Sequence, residues 1–166
     1  MKEQQLSLTY QVFSDLSELS GDDAVLLKAA REATVHAYAP YSHFNVAAVA
    51  KMQSGNLLSG TNQENASFPA GICAERVLLS AVSSLYPGES INTIAISYNG
   101  ELNNSTRPLA PCGICRQSLA EFESRFKKPL RIILGGMTGE IFIFSSVSDL
   151  LPFQFSRDDL MDNSPL

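Results

Sequence analysis

The sequence predicts an α/β domain in three layers, α-β-α, built on a mixed five-stranded sheet. Two observations lead there. Segments of helical spacing alternate with short β-branched runs in the order α, β, β, α, β, α, β, β, and that alternation buries a sheet between helices. The chain has 166 residues, 45% hydrophobic and 17% charged, enough for one well-buried core and too apolar for a disordered protein.

Residues 1–20 mix polar and apolar side chains with weak periodicity and read as an N-terminal extension; residues 21–166 read as a single domain. Ser20-Gly21-Asp22-Asp23 supplies a helix start, with acidic side chains near the positive end of the helix dipole. Val25, Leu26, Ala29, Ala30, Ala33 and Ala37 recur at helical spacing, so a helix is expected from about Asp22 to Tyr38, stopped by Pro40. Phe44 to Met52 and Leu57 to Thr61 form a hairpin about the turn Gln53-Ser54-Gly55-Asn56. Asn62 to Gly71 is a polar loop. Cys73 to Leu85 is helical and ends at Pro87-Gly88. Ile91 to Tyr98 is a strand, Asn99 to Pro111 a loop, Cys112 to Phe126 a helix, and Leu130 to Leu134 and Glu140 to Phe144 are strands. Val147 to Leu151 and Asp158 to Met161 read as short helices closing the chain.

The net charge is −5, and the basic residues are scattered. A protein that grips a nucleic-acid backbone concentrates basic residues, because neutralising phosphates releases counterions. No nucleic acid is therefore expected as a partner. No apolar run is long enough to span a bilayer, so no membrane is expected either. Met1 to Tyr10 lacks the basic and apolar pattern of a secretory signal, and the expected location is cytoplasmic.

The chain has three cysteines, Cys73, Cys112 and Cys115. An odd number in a protein without a secretory signal fits a disulfide framework poorly, which leaves buried thiols, metal ligands or a nucleophile. Cys112 and Cys115 have the two-residue gap that lets two thiolates reach one metal ion from the first turn of a helix. Alone, that pair is ambiguous between redox and metal roles. Pro111 before it and Cys73-Ala74-Glu75 upstream match the three-cysteine variant of the zinc deaminase pattern. Three thiolates leave one tetrahedral position open, as catalytic zinc sites do. Glu75, two residues past Cys73, points away from the ligand direction on a helix and is placed to shuttle protons. The site would carry net negative charge, which two helix N-termini offset and which Arg76 or Arg116 can offset by hydrogen bonding to sulfur. With only His36 and His43, a histidine-rich site cannot be built.

These residues lie within five stretches that run in family order: Tyr38-Ala39-Pro40-Tyr41-Ser42-His43-Phe44, Asn62-Gln63-Glu64-Asn65-Ala66, Gly71-Ile72-Cys73-Ala74-Glu75-Arg76, Pro111-Cys112-Gly113-Ile114-Cys115-Arg116-Gln117, and Leu150-Leu151-Pro152-Phe153-Gln154-Phe155. The chain resembles the small zinc-dependent cytidine deaminases of the homotetrameric type. The resemblance implies hydrolytic deamination of cytidine and deoxycytidine in pyrimidine salvage, with one Zn2+ per chain on Cys73, Cys112 and Cys115. It implies Glu75 as the catalytic acid and base, and Phe44 packed on the pyrimidine. Asn62 and Glu64 would bind the ribose hydroxyls, with Ala66 also at the substrate. Arg76 would support the thiolates, and Phe155 would reach a neighbouring subunit's site in a homotetramer. The chain departs from the family at Phe68, where tyrosine is frequent, and at Asn45 and Ala47 on the first long strand. The loop containing Asn103-Asn104-Ser105-Thr106 is somewhat long.

Other readings weighed on the residues are a deaminase of a cytosine-nucleoside antibiotic such as blasticidin S, a nucleic-acid editing or binding module, and a structural zinc site. The pair Asn62 and Glu64 favours ordinary nucleosides. The acidic balance and the absence of tryptophan count against nucleic acid. A structural site would need a fourth protein ligand, and no fourth cysteine exists.

Overall fold

A computed structural model describes residues 1–102 and 104–160. Its sheet is mixed and has six strands rather than five, in the order β1-β6-β5-β4-β2-β3. The five predicted strands are present as β2 (Phe44–Met52), β3 (Leu57–Thr61), β4 (Ile91–Gly100), β5 (Arg131–Gly135) and β6 (Ile141–Phe144). The sixth, β1 (Gln11–Phe13), lies within the stretch read as an extension. It pairs antiparallel with β6, Val12 opposite Phe142. The Tyr10 ring packs 5.0 Å from Phe142 and 5.1 Å from Phe144, while Phe13 packs on the opposite face beside Leu16 and Leu19. A three-residue strand has too short a period to stand out in sequence; its partner in space fixes it.

Only β4 and β5 pair in parallel; every other neighbour is antiparallel. The central strands β2 and β4 are buried on both faces. On one face α1 (Gly21–Ala33) packs Leu26, Leu27 and Ala30 against Ala47, Val49, Ala95 and Ile133. On the other, α2 (Ala74–Leu85) and α3 (Gly113–Phe126) pack Leu78, Val82 and Leu119 against Ala48, Ala50, Ile94, Ile96 and Ile132. The strand residues split between these cores by odd and even position, as a period of two requires. Each fully buried leucine or isoleucine contributes about 1.5–3 kcal/mol.

The first helix is shorter than its sequence pattern suggests. Ser20 caps it, accepting from the Asp23 amide at 3.4 Å, and α1 gives way at Thr34 to a 3-10 turn, Thr34–His36. The Thr34 hydroxyl donates to the Arg31 carbonyl at 2.7 Å, an alternative partner for the last turn. The early exit lets Tyr38 pair with Gln63 in a short parallel bridge. That bridge draws segment 39–44 toward Glu64. At the other end of the chain, Val147–Leu150 and Arg157–Asp159 are 3-10 turns. Met161 and Asn103, named in two sequence expectations, lie outside the described residues.

Candidate active site

Cys73 and Cys112 are the N-cap residues of α2 and α3, both in extended conformation, and neither cap carries a side-chain hydrogen bond to the helix amides. The thiols are thus free to face outward, across the gap between two positive helix ends. Cys115 lies in the first turn of α3 and is fully buried, Cys73 is half-buried and Cys112 is exposed. All three Sγ atoms lie within 4.8 Å of one another, and Cys73 and Cys112 are 3.9 Å apart. Two thiolates on one tetrahedral zinc, each bonded at about 2.3 Å, sit roughly 3.8 Å apart. The spacing of the triad therefore fits a single zinc ion.

Glu75 is 5% exposed in the first turn of α2, with its carboxyl against the Cys115 thiol. Burial pushes its pKa up, against the pull of its own backbone amide and the Cys115 thiol. A buried acid that favours its proton is suited to proton transfer. Burial also pushes the Cys73 and Cys115 thiols up, and the charge of Glu75 adds to both. At Cys112 burial acts in the same direction, but hydrogen bonds from the Cys115 amide and from the thiols of Cys115 and Cys73 outweigh it and hold the thiol below its ordinary value. A dication among the three sulfurs favours thiolates throughout.

Two features set the helix starts: Gly60, whose close partner the sequence pattern does not show, and Arg116, which the sequence offers only as a donor to sulfur. Gly60 on β3 meets α2 so closely that a Cβ there would lie 2.7 Å from the Ala74 carbonyl oxygen and closer still to the Leu78 amide nitrogen. A glycine inside a strand marks such an approach. Arg116 donates from Nε to the Pro111 carbonyl at 2.8 Å and from a terminal nitrogen to the Leu150 carbonyl at 3.0 Å, tying the start of α3 to the C-terminal turn. Arg76 lines a groove between α2 and α3 with Ser83 and Glu121. Among the described residues its guanidinium makes no hydrogen bond or ion pair, to a sulfur or to any other group.

Beside Cys73 opens a cleft of about 470 Å³, lined by Tyr41, Ser42, Asn62, Glu64 and Phe68 among others. Glu64 Oε2 accepts from the amides of Tyr41 (2.9 Å) and Ser42 (3.2 Å). The Ser42 hydroxyl and the Tyr41 amide hold the Glu64 carboxyl below its usual range. Asn62 is also tied to backbone: Oδ1 accepts from Val46 N–H at 2.8 Å and Nδ2 donates to the Phe44 carbonyl at 2.9 Å. The loops thus bring Asn62 and Glu64 to the cleft together with Cys73. Phe44, Ala66 and Phe155 are not part of the cleft lining. The Phe44 ring stacks on Tyr98 at 5.0 Å, Ala66 is exposed, and Phe155 is 57% exposed with its carbonyl bonded by Gln117 Nε2 at 2.7 Å.

A layered α-β-α fold with a three-thiol metal site at two helix starts and a buried carboxyl beside it fits a metal-dependent hydrolase. The comparisons narrow the class. Residues 20–128 match the cytidine and deoxycytidylate deaminase zinc-binding region. A cytidine deaminase of Halalkalibacterium halodurans is 36% identical over 141 residues, covering 85% of this chain and 99% of that protein. One from Mycobacterium tuberculosis is 33% identical, covering 79% and 87%. A crystal structure of cytidine deaminase from Burkholderia pseudomallei superposes with a TM-score of 0.68 at 37% identity, covering 82% of this chain and all of that one. The chain belongs to the cytidine and deoxycytidylate deaminase family.

Proposed function

We propose that the protein deaminates cytidine and deoxycytidine by hydrolysis, releasing uridine or deoxyuridine and ammonia, in pyrimidine salvage. The observation that carries this reading is the triad of sulfurs at zinc spacing with the buried Glu75 carboxyl against it. Cys73, Cys112 and Cys115 hold one zinc per chain. The bound metal supplies the Lewis acidity that makes water a nucleophile near neutral pH.

Glu75 takes one proton from the attacking water and delivers it to the ring nitrogen; it then takes the second proton, from the hydroxyl added to the pyrimidine, and delivers it to the leaving amine, which departs as ammonia. Its burial supports this role, because a carboxyl shielded from solvent exchanges its proton with substrate rather than with bulk water. Glu64 and Asn62 accept and donate to the ribose hydroxyls at the far side of the cleft. Their bonds to segment 41–46 orient them before substrate arrives, which reduces the ordering cost of binding. Phe44 packs on the base and Ala66 lies along the substrate. Phe155, exposed in the single chain, reaches the site of a neighbouring copy in a homotetramer. A cytoplasmic location accords with three free thiols.

The test is a cytidine-to-uridine assay paired with metal analysis. We expect one zinc per chain, uridine formation, and loss of activity on chelation that added zinc restores. Active protein without zinc would refute the reading.

A further inference from the structure

Next to the cleft, His43 combines a left-handed backbone with a side chain paired to the acidic Glu101. Its φ is +52°, the left-handed region that glycine adopts freely, that asparagine, aspartate and histidine visit more often than other residues, and that β-branched residues strongly disfavour. The conformation closes a turn in which His43 N–H donates to the Ala39 carbonyl at 3.0 Å. Within that turn the successive amides of Tyr41 and Ser42 converge on Glu64 Oε2. Successive amides next to a left-handed residue form a concave nest for an anion.

The turn is anchored on its other side by the end of β4. Glu101 N–H donates to the His43 carbonyl at 3.2 Å, and His43 Nδ1 lies 3.7 Å from Glu101 Oε2. When His43 is protonated, its charge is the smallest of the influences that hold the Glu64 carboxyl low. The side chains of His43 and Glu101 are 55% and 74% exposed, so their ion pair alone is weak. The backbone conformation is the stronger element. Reverting residue 43 to the right-handed region would swing the Tyr41 and Ser42 amides off Glu64.

We infer that His43 is a positioning residue for substrate binding: its left-handed turn aims the Tyr41 and Ser42 amides at Glu64 and so fixes the Glu64 carboxyl toward the nucleoside hydroxyls. This rests on the reading of Glu64 as a substrate-binding residue. It predicts an effect on KM rather than on kcat, because the turn acts at the hydroxyl end of the cleft and not at the reacting carbon.

The test is steady-state kinetics on cytidine with the full-length, zinc-loaded protein, together with the dissociation constant for uridine. His43→Val, a β-branched residue poorly tolerated at positive φ, should raise KM and the uridine constant about five- to tenfold, with kcat within about twofold. His43→Gly and His43→Asn, which accept the left-handed conformation, should bring both back to within about twofold of the parent. In a Glu64→Gln background, which itself raises KM, His43→Val should add nothing. If His43→Val does not fold, His43→Ala compared with His43→Gly asks the same question, with alanine expected to bind more weakly. The inference is overturned if the valine and glycine variants bind alike, or if His43→Val still raises KM by the same factor without Glu64. Should Glu64→Gln leave KM unchanged, the substrate-binding reading of Glu64 fails and the inference falls with it; a Glu64 effect without a His43 effect overturns the inference alone.

Discussion

At one end of the site the functional atoms stand on the first turns of α2 and α3; at the other they stand on the loops that flank β2 and β3. The thiol end is rigid because of what lies behind it: Ala74, Leu78 and Leu119 are fully buried in the core. The hydroxyl end has little behind it, and Glu64 and Asn62 are held instead by four hydrogen bonds to the backbone of segment 41–46. Bond making at the metal and at Glu75 depends on angstrom-scale geometry, which packed helices maintain. Recognition of a sugar tolerates loops, provided that side chains lace them. In consequence a residue such as Asn62 serves architecture and recognition together, whereas the partner of Glu75 on another element is the Cys115 thiol, itself part of the site.

Substitutions should divide along this line. The largest effect is expected at Cys115→Ala, which removes the buried thiol: zinc content should fall severalfold and turnover drop by about a thousandfold or more, as measured by metal analysis and uridine formation. Gly60→Ala should come next. The added methyl meets the backbone of α2, so α2 must shift, with a stability loss of about 1–3 kcal/mol in denaturant unfolding and a clear fall in kcat. Asn62→Ala breaks both bonds to β2 and should raise KM while costing about 1–2 kcal/mol of stability. Asn62→Asp keeps the acceptor for Val46 N–H and should recover part of that stability. If Asn62→Ala changed KM with no effect on stability, its double role would be wrong.

The smallest effect lies away from both ends. Asp23, in the first turn of α1, accepts two bonds from Arg131, at 2.6 and 2.8 Å, and these hold its carboxyl below the ordinary value. A lowered carboxyl pKa stabilises the fold above the unfolded-state pKa, and the stabilisation is lost as pH falls through the folded value. Asp23→Asn should therefore lower stability by a few tenths to about 1 kcal/mol at pH 6, and the gap to the parent should close below about pH 4 in thermal melts.

Much of this arrangement was legible in the sequence. The β-branched and alanine-rich run of β2, the acidic start of α1 and the glycine-marked turns predicted their elements, because those patterns act locally. The thiols at two helix starts were legible from Pro111, the two-residue cysteine gap and Cys73-Ala74-Glu75. What escaped depends on partners distant in sequence. The strand Gln11–Phe13 exists through β6, Gly60 matters because of the α2 backbone, and Arg116 acts on the carbonyls of Pro111 and Leu150. Helical spacing carried the first helix past Ala33 because Ala37 continues its pattern, but the Thr34 hydroxyl and the bridge at Tyr38 end it earlier.

The central claim is that the buried Glu75 transfers the proton beside a metal held by three thiols. Glu75→Gln is nearly isosteric and retains hydrogen bonding, so the protein should keep one zinc per chain, its fold and its affinity for uridine. Its kcat for cytidine should fall by at least about a hundredfold. A Glu75→Gln protein that holds zinc and turns over cytidine at the parental rate would contradict the account.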